Sequence, residues 1–154
     1  MTLEQFVSDW LRGTIVQPPL RASEFVDGNA GVTLYRDDRF QVQLWVFPPN
    51  AKVTDHAHPG LDTWLVRVAG KLKFRLHGKY KPLSEMERTE WGGMKTWTLH
   101  VPPGVSHGAD IGPEGASFLS LTERLDGEHP ESVHLIWDGP PLDEKHGQVL
   151  RKAA

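Results

Sequence analysis

Short runs in which apolar and polar residues alternate, separated by prolines and glycines, dominate the sequence from residue 30 onward. The clearest run extends from Phe40 to Val46, where Gln41 and Gln43 alternate with apolar residues, and it ends at Pro48-Pro49-Asn50. Successive side chains of a strand point to opposite faces of a sheet, so this period of two predicts a half-buried strand. With the other runs, the sequence predicts about eight to ten short strands, which favours an all-β sandwich or barrel.

Two of these runs flank the dipeptide Ala69-Gly70. Residues 64–68 alternate before it and residues 72–76 alternate after it, as expected for the two strands of a hairpin. Residues 79–94 are polar and are interrupted by Pro82 and Gly92-Gly93, which predicts a long loop or flap. The other predicted strands are Val53–His58, Trp97–Val101, Ala116–Thr122 and Val133–Trp137.

The N-terminus carries the one strong helix pattern, over residues 2–12. Leu3, Phe6, Val7, Trp10 and Leu11 follow the spacing of an amphipathic helix. The spacing of residues 2 and 5 fits a capping box, and the glycine at position 13 is placed to end the helix. We expect its apolar stripe to pack on the outside of a barrel, or to form a dimer contact.

Length and composition favour a single domain over residues 1–154, with the barrel at about 30–138 and a peripheral tail at 139–154. The formal net charge of -3 gives no sign of nucleic-acid binding. The absence of cysteine excludes disulfides, thiolate metal sites and cysteine nucleophiles. No apolar run reaches the roughly 18 residues of a membrane span, and no signal peptide is recognisable, so we expect a cytoplasmic protein without membrane partners.

Three histidines are spaced as metal ligands would be in such a barrel. His56 and His58 lie one residue apart, which places both imidazoles on the same face of a strand. His107 follows the turn sequence Pro102-Pro103-Gly104 about fifty residues later. Three imidazoles that converge in one pocket could hold a metal ion.

These residues, in the order His56-x-His58, Gly70 and Pro102-x-Gly104-x-x-His107, resemble the two sequence motifs of the cupin superfamily. The resemblance covers roughly residues 40–122. It implies a double-stranded β-helix, or jelly-roll barrel, with one N-terminal helix. It also implies a metal site made from the three histidines, and a homodimer, because cupins commonly dimerise through one sheet.

The sequence departs from this motif at the glutamate that usually follows the histidine pair. Spacing assigns the glutamate position to Thr63, and Asp62 is the nearest carboxylate. Motif spacing turns Thr63 and Arg67 toward the metal, whereas hydrophobic alternation groups Asp62 with Trp64 and turns them inward. A one-residue slip reverses all faces of a strand, so only a bulge between positions 62 and 64 would reconcile the two.

The candidate ligands are therefore His56, His58, His107 and Asp62, with a site of three histidines alone as the alternative. Both sets suit a divalent transition metal. We favour Fe, and Zn, Ni, Mn or Cu would also fit such ligands.

The resulting functional hypothesis is a metal-dependent enzyme that acts on a small molecule, most simply a dioxygenase-type oxidoreductase. The sequence shows no phosphate-cradling glycine loop, so no organic cofactor is expected. No other catalytic residue is identified, because no side chain stands out as an obligatory general base. The alternative is a non-catalytic binding, sensor or scaffold cupin with a structural metal or none.

Overall fold

A computed structural model describes residues 1–15, 26–27, 31–82, 86–91, 93–125 and 135–136. Within these ranges the chain forms one helix and ten strands. The elements are α1 (Leu3–Arg12), β1 (Val26–Asp27), β2 (Gly31–Arg36), β3 (Phe40–Phe47), β4 (Lys52–His56), β5 (Leu61–Leu76), β6 (Lys79–Pro82), β7 (Glu87–Trp91), β8 (Met94–Val101), β9 (His107–Arg124) and β10 (Leu135–Ile136). The tail predicted at 139–154 lies outside the described residues.

Helix α1 confirms the prediction at the N-terminus. Thr2 caps it with a complete capping box to Gln5, and Gly13 ends it in the left-handed conformation with φ of 74°. Leu3, Phe6 and Val7 are buried. No helix of the described residues is long and apolar enough to cross a bilayer.

The long strands β5 and β9 form the centre of the sheet. They pair with each other along nearly their whole length, and every strand pair is antiparallel. The other edge of β9 is shared, because β4 pairs with its beginning and β3 with its end. Strands β8 and β6 similarly pair with the first and last parts of β5. Both central strands therefore run through the two walls of the barrel.

The bend in each central strand lies at a glycine. Gly70 of β5 and Gly115 of β9 have φ of 78° and 81°, a region that favours glycine. A Cβ atom on Gly70 would lie 2.2 Å from the carbonyl oxygen of Gly115, so the two strands can cross here only without a side chain. The hairpin predicted at Ala69-Gly70 is therefore wrong, since β5 continues through this corner as one strand paired to β9.

The loop or flap predicted at 79–94 is also mostly wrong. Strand β6 pairs with the end of β5, and β7 pairs with β8, so the described part of this segment extends the sheet. Pro82 is the last residue of β6, and Gly93 directly precedes β8.

Two apolar cores lie on opposite sides of the sheet. The inner core fills the barrel and includes Trp45, Phe74 and Phe118. The outer core lies between α1 and the sheet, where the Phe6 ring stacks on the Phe40 ring with centroids 4.3 Å apart. The predicted packing of the helix on the outside of the barrel is thus confirmed.

Strand β3 shows the consequence of having two cores. Its apolar residues Phe40 and Val42 face the helix, whereas Gln41 and Gln43 are fully buried on the opposite face. The prediction of a half-buried strand is therefore wrong, because nearly all of β3 is buried and its polar side faces the barrel.

Candidate metal centre

The three predicted histidines come together at one end of the barrel interior. One ring nitrogen from each of His56, His58 and His107 lies within 4.8 Å of the other two. Their ring centroids are 5.0 Å apart for the first pair, 4.2 Å for His56 and His107, and 5.8 Å for His58 and His107. The group contains no carboxylate from the described part of the chain.

Backbone carbonyl groups orient two of the three rings. Nδ1 of His56 lies 2.7 Å from the carbonyl oxygen of Thr54, and Nδ1 of His107 lies 2.9 Å from that of Val105. A carbonyl oxygen can only accept, so Nδ1 carries the proton in both rings and donates it. Nε2 then keeps its lone pair for a ligand, which is the tautomer that a metal-binding imidazole requires.

The backbone brings the two histidine segments into register. His56 and His107 are directly paired residues of β4 and β9. Beyond the end of β4, the carbonyl oxygen of His58 accepts a hydrogen bond of 3.1 Å from the N–H of Gly104. Gly104 has φ of 77°, so the Pro-Pro-Gly turn needs glycine at this place.

A polar clamp behind the histidines holds β4 against the central strands. Arg75 of β5 donates to a carboxylate oxygen of Asp55 at 2.8 Å and also pairs with Asp110 of β9. Its guanidinium additionally donates to the carbonyl oxygen of Val53. Gly108 lies beneath this clamp, and a Cβ atom there would be 2.4 Å from Asp55 Oδ1, so the residue after His107 must be glycine.

The electrostatic environment keeps His107 uncharged. Burial, reinforced by the neighbouring His56, lowers the pKa of His107 from 6.5 to about 4. Its imidazole is therefore neutral at pH 7. A neutral ring can offer its lone pair without first losing a proton.

The histidines line a cavity of about 60 Å³ inside the barrel. One water molecule needs roughly 10–15 Å³ of such space, so the cavity accommodates about four to six. Its described lining includes no Asp, Glu, Lys or Arg. The remaining lining residues are Gln43, Trp45, Phe47, Val53, Leu61, Thr63, Leu65, Phe74, Gly108, Ala109, Phe118, Ser120 and Thr122.

Asp62, the fourth candidate ligand, lies on the opposite face of β5. Its Oδ1 is 2.5 Å from Nε2 of His100, whose ring stacks on the indole of Trp64 at 4.6 Å. Residues 61–66 of β5 pair with β9 without a register shift, so no bulge turns Asp62 inward. The structure thus separates Asp62 from the three histidines, because regular alternation places it outside.

Motif spacing, rather than hydrophobic alternation, describes the inner face of this segment. Thr63 and Leu65 line the cavity, and Thr63 Oγ1 lies 3.0 Å from Oγ1 of Thr122. Arg67 is absent from the described cavity lining and donates through Nε to the carbonyl oxygen of Gly70. Motif spacing, which turns Arg67 toward the metal, therefore does not hold at this residue.

Of the polar residues in the cavity wall, motif spacing places Thr63 toward the metal, whereas sequence reasoning missed Gln43, Ser120 and Thr122. Gln43 and Ser120 are paired residues of β3 and β9, and Thr63 and Thr122 are paired residues of β5 and β9. The sequence signal for these residues was a polar residue at every second position of a strand whose intervening residues are apolar.

No protein-family model and no curated protein matches this sequence. Solved structures do match it. An RmlC-like cupin from Shewanella frigidimarina aligns with a TM-score of 0.54 and 17% identity, over 72% of this chain and 94% of its own. The chain has the cupin fold.

Two further structures support the same fold. An uncharacterised protein with a double-stranded β-helix domain from Klebsiella pneumoniae has a TM-score of 0.53 and 18% identity, with 73% of this chain and 95% of that chain covered. KdgF from a Halomonas species has a TM-score of 0.51 and 17% identity, with 61% and 76% covered. At these identities the likeness establishes the fold, and the site must be argued from this chain's own residues.

The residues of this site fit a transition metal. Three imidazoles, two of them oriented by hydrogen bonds from Nδ1 to backbone carbonyls, form the donor set that Zn, Fe, Ni, Cu and Mn accept. Three protein ligands leave coordination positions for water or substrate, which is typical of catalytic rather than structural sites.

Proposed function

We propose that this chain is a metal-dependent enzyme that acts on a small molecule, with a mononuclear metal held by His56, His58 and His107. The observation that carries the proposal is the convergence of three ring nitrogens within 4.8 Å of one another on the wall of a buried cavity. Three imidazoles gathered on one cavity wall bring polar nitrogens partly away from water, and a bound metal ion would offset that cost.

The finer proposal is a dioxygenase-type oxidoreductase. Isomerisation and decarboxylation usually employ a general acid or base, and with the three histidines assigned to the metal this group would have to be a carboxylate, lysine or tyrosine. None of these side chains is among the described residues that line the cavity. A bound iron ion would supply Lewis acidity and electron exchange with dioxygen, which is chemistry that the lining side chains cannot provide.

The other residues of the cavity shape the environment of the histidines. Trp45, Phe74 and Phe118 form apolar walls that exclude bulk water and strengthen polar interactions inside. Thr63 places a hydroxyl where a cupin of the commoner motif has a carboxylate, so the donor set remains neutral. The small volume restricts the substrate to a compact molecule.

Metal analysis of protein purified without added metal, combined with an oxygen-consumption screen of small acids, ketones and alcohols, tests the proposal. We expect about one transition-metal ion per chain, its loss in His56→Ala, and its retention in the control His100→Ala. Oxygen uptake by the iron-loaded protein would support the dioxygenase assignment. Stoichiometric metal without any turnover would favour a sensor or scaffold with a structural metal, and wild-type protein without metal would refute the metal site.

A further inference from the structure

The cavity has an uncharged polar wall, formed by Gln43, Thr63, Ser120 and Thr122, in addition to its histidines. All four side chains line the cavity. Gln43 is 1% exposed, Ser120 is 8% and Thr122 is 1%. Polar groups at this depth require hydrogen-bond partners, because an unpaired buried group has lost its hydrogen bonds to water without replacing them.

The three hydroxyl groups of this polar wall bond to one another. Thr122 Oγ1 lies 3.0 Å from Thr63 Oγ1 and 3.3 Å from Ser120 Oγ. Two hydrogen bonds use two of the three hydroxyl protons, so one proton remains for a further acceptor.

Gln43 supplies the second donor of the wall. Its side-chain nitrogen Nε2 is buried and has no hydrogen-bond partner within the described residues. Gln43 is paired across the strands with Ser120, so the amide and the hydroxyl chain belong to the same patch. A ligand oxygen in the cavity would satisfy both donors.

We propose that this polar wall, with Gln43 as its principal donor, is the specificity site for a neutral oxygen of the substrate. The inference rests on the proposed function, which places the other end of the substrate at the histidine-bound metal. The wall carries no cation to balance a carboxylate or phosphate, so its ligand is a carbonyl or hydroxyl oxygen. An anionic group of the same molecule would bind at the metal. The substrate class is thus a compact oxo acid or hydroxy acid whose apolar chain contacts the aromatic walls.

Matched ligand pairs test this assignment without altering the protein. The first pair is 4-oxopentanoate and 4-methylpentanoate, in which the carbonyl oxygen of the former replaces a methyl group of the latter. The second pair is 4-hydroxybutanoate and pentanoate, in which the hydroxyl of the former replaces the terminal methyl group of the latter. Affinities of metal-loaded wild type are measured by calorimetry. We expect the oxygen-bearing member of at least one pair to bind about tenfold more tightly or better.

Protein variants assign the preference to Gln43. Gln43→Met keeps the shape of the side chain and removes its donor, so it should abolish the preference and leave the metal content unchanged. Gln41→Met is the control, because Gln41 is equally buried and also has an unpartnered Nε2 within the described residues, yet it does not line the cavity. Its Oε1 accepts from Arg36 instead. Gln41→Met should retain the preference.

Equal binding within both pairs, absence of binding by both oxygen-bearing ligands, or a preference that survives Gln43→Met would overturn the assignment. Loss of metal in Gln43→Met would overturn it too, since the residue would then act on the histidines. These results leave the metal site standing. If wild type holds no metal but shows a preference that Gln43→Met removes, the assignment of Gln43 survives and the proposed enzyme function fails.

Discussion

Histidines lie on both sides of the sheet, in an inner cluster of His56, His58 and His107 and an outer cluster of His100 with Asp62 and Trp64. On the outer face, His100 bonds through Nε2 to the carboxylate of Asp62 and stacks on Trp64. On the inner side, His56 and His107 donate hydrogen bonds from Nδ1 to backbone carbonyls. Their Nε2 atoms are thereby left for the group of ring nitrogens in the cavity. Adjacent residues of one strand, Asp62 and Thr63, thus belong to different environments.

The difference shows that the partner of a histidine decides its chemistry more than its position in the sequence does. A carboxylate occupies the ring nitrogen of His100 that could otherwise bind a ligand. Carbonyl partners at Nδ1 instead leave Nε2 available and fix its direction. The inner cluster is therefore suited to binding, and the outer cluster to holding β5 and β8 together.

The largest effect on stability is expected from the outer core, without an effect on the metal. Phe6→Ala removes a ring that is 1% exposed and stacked on Phe40. We expect a loss of about 3–5 kcal/mol in the free energy of unfolding, measured with denaturant, because the substitution leaves a cavity. Metal bound per folded chain should stay constant. A parallel fall in metal content would show that packing on the outer side of the sheet affects metal binding on the inner side.

Removal of an inner histidine should affect the metal most strongly. His107→Ala deletes one of three ring nitrogens, and we expect affinity to fall by more than about 100-fold, the upper range for losing a group that merely supports a ligand. Competition with a chelator measures this. His100→Ala, which removes the outer histidine, should change affinity by less than about tenfold. Similar losses in both variants would contradict the division between the clusters.

A carboxylate introduced at the inner position should strengthen the site. Thr63→Glu places an acidic side chain on the cavity face, and we expect metal affinity to rise roughly tenfold, which corresponds to 1.4 kcal/mol. Asp62→Glu is the matched control, because it lengthens a carboxylate on the outer face and should leave affinity unchanged. A gain in the control alone would mean that the faces of β5 are reversed.

The smallest effect is expected for Asp62→Ala. The pair with His100 is partly exposed, with side-chain exposures of 36% for His100 and 26% for Asp62, so its loss should cost at most about 1 kcal/mol. Metal affinity should change by less than about tenfold. Thermal unfolding and metal titration of the same sample check both expectations. A large fall in affinity would restore Asp62 as a ligand.

The sequence predicted the fold class, the helix and the convergence of the three histidines, because each depends on a local pattern or a matched motif. It predicted a solvent face for β3 and left the faces of β5 unresolved, since a strand buried on both sides has no solvent face to mark its direction. A register shift near Gly70 adds to this: Thr63 and Leu65 face inward before the corner, and Leu72 and Phe74 face inward after it. The alternation of apolar residues along the sequence cannot reveal that the inward-facing positions change from odd to even numbers at this corner.

The sequence also could not distinguish a glycine that ends a hairpin from one that bends a strand. Gly70 needs the same positive φ in both cases. Only the long-range pairing with β9 decides between them.

The passage of β5 and β9 through both walls has a consequence for how the barrel unfolds. Neither wall can detach without removing strands from the other, so the two walls should open as one cooperative unit. An ion bound between β4 and the start of β9 would then slow amide hydrogen exchange in β3 as well, although β3 contributes no histidine to the site. Slower amide hydrogen exchange in that distant strand would therefore report that the metal centre is occupied.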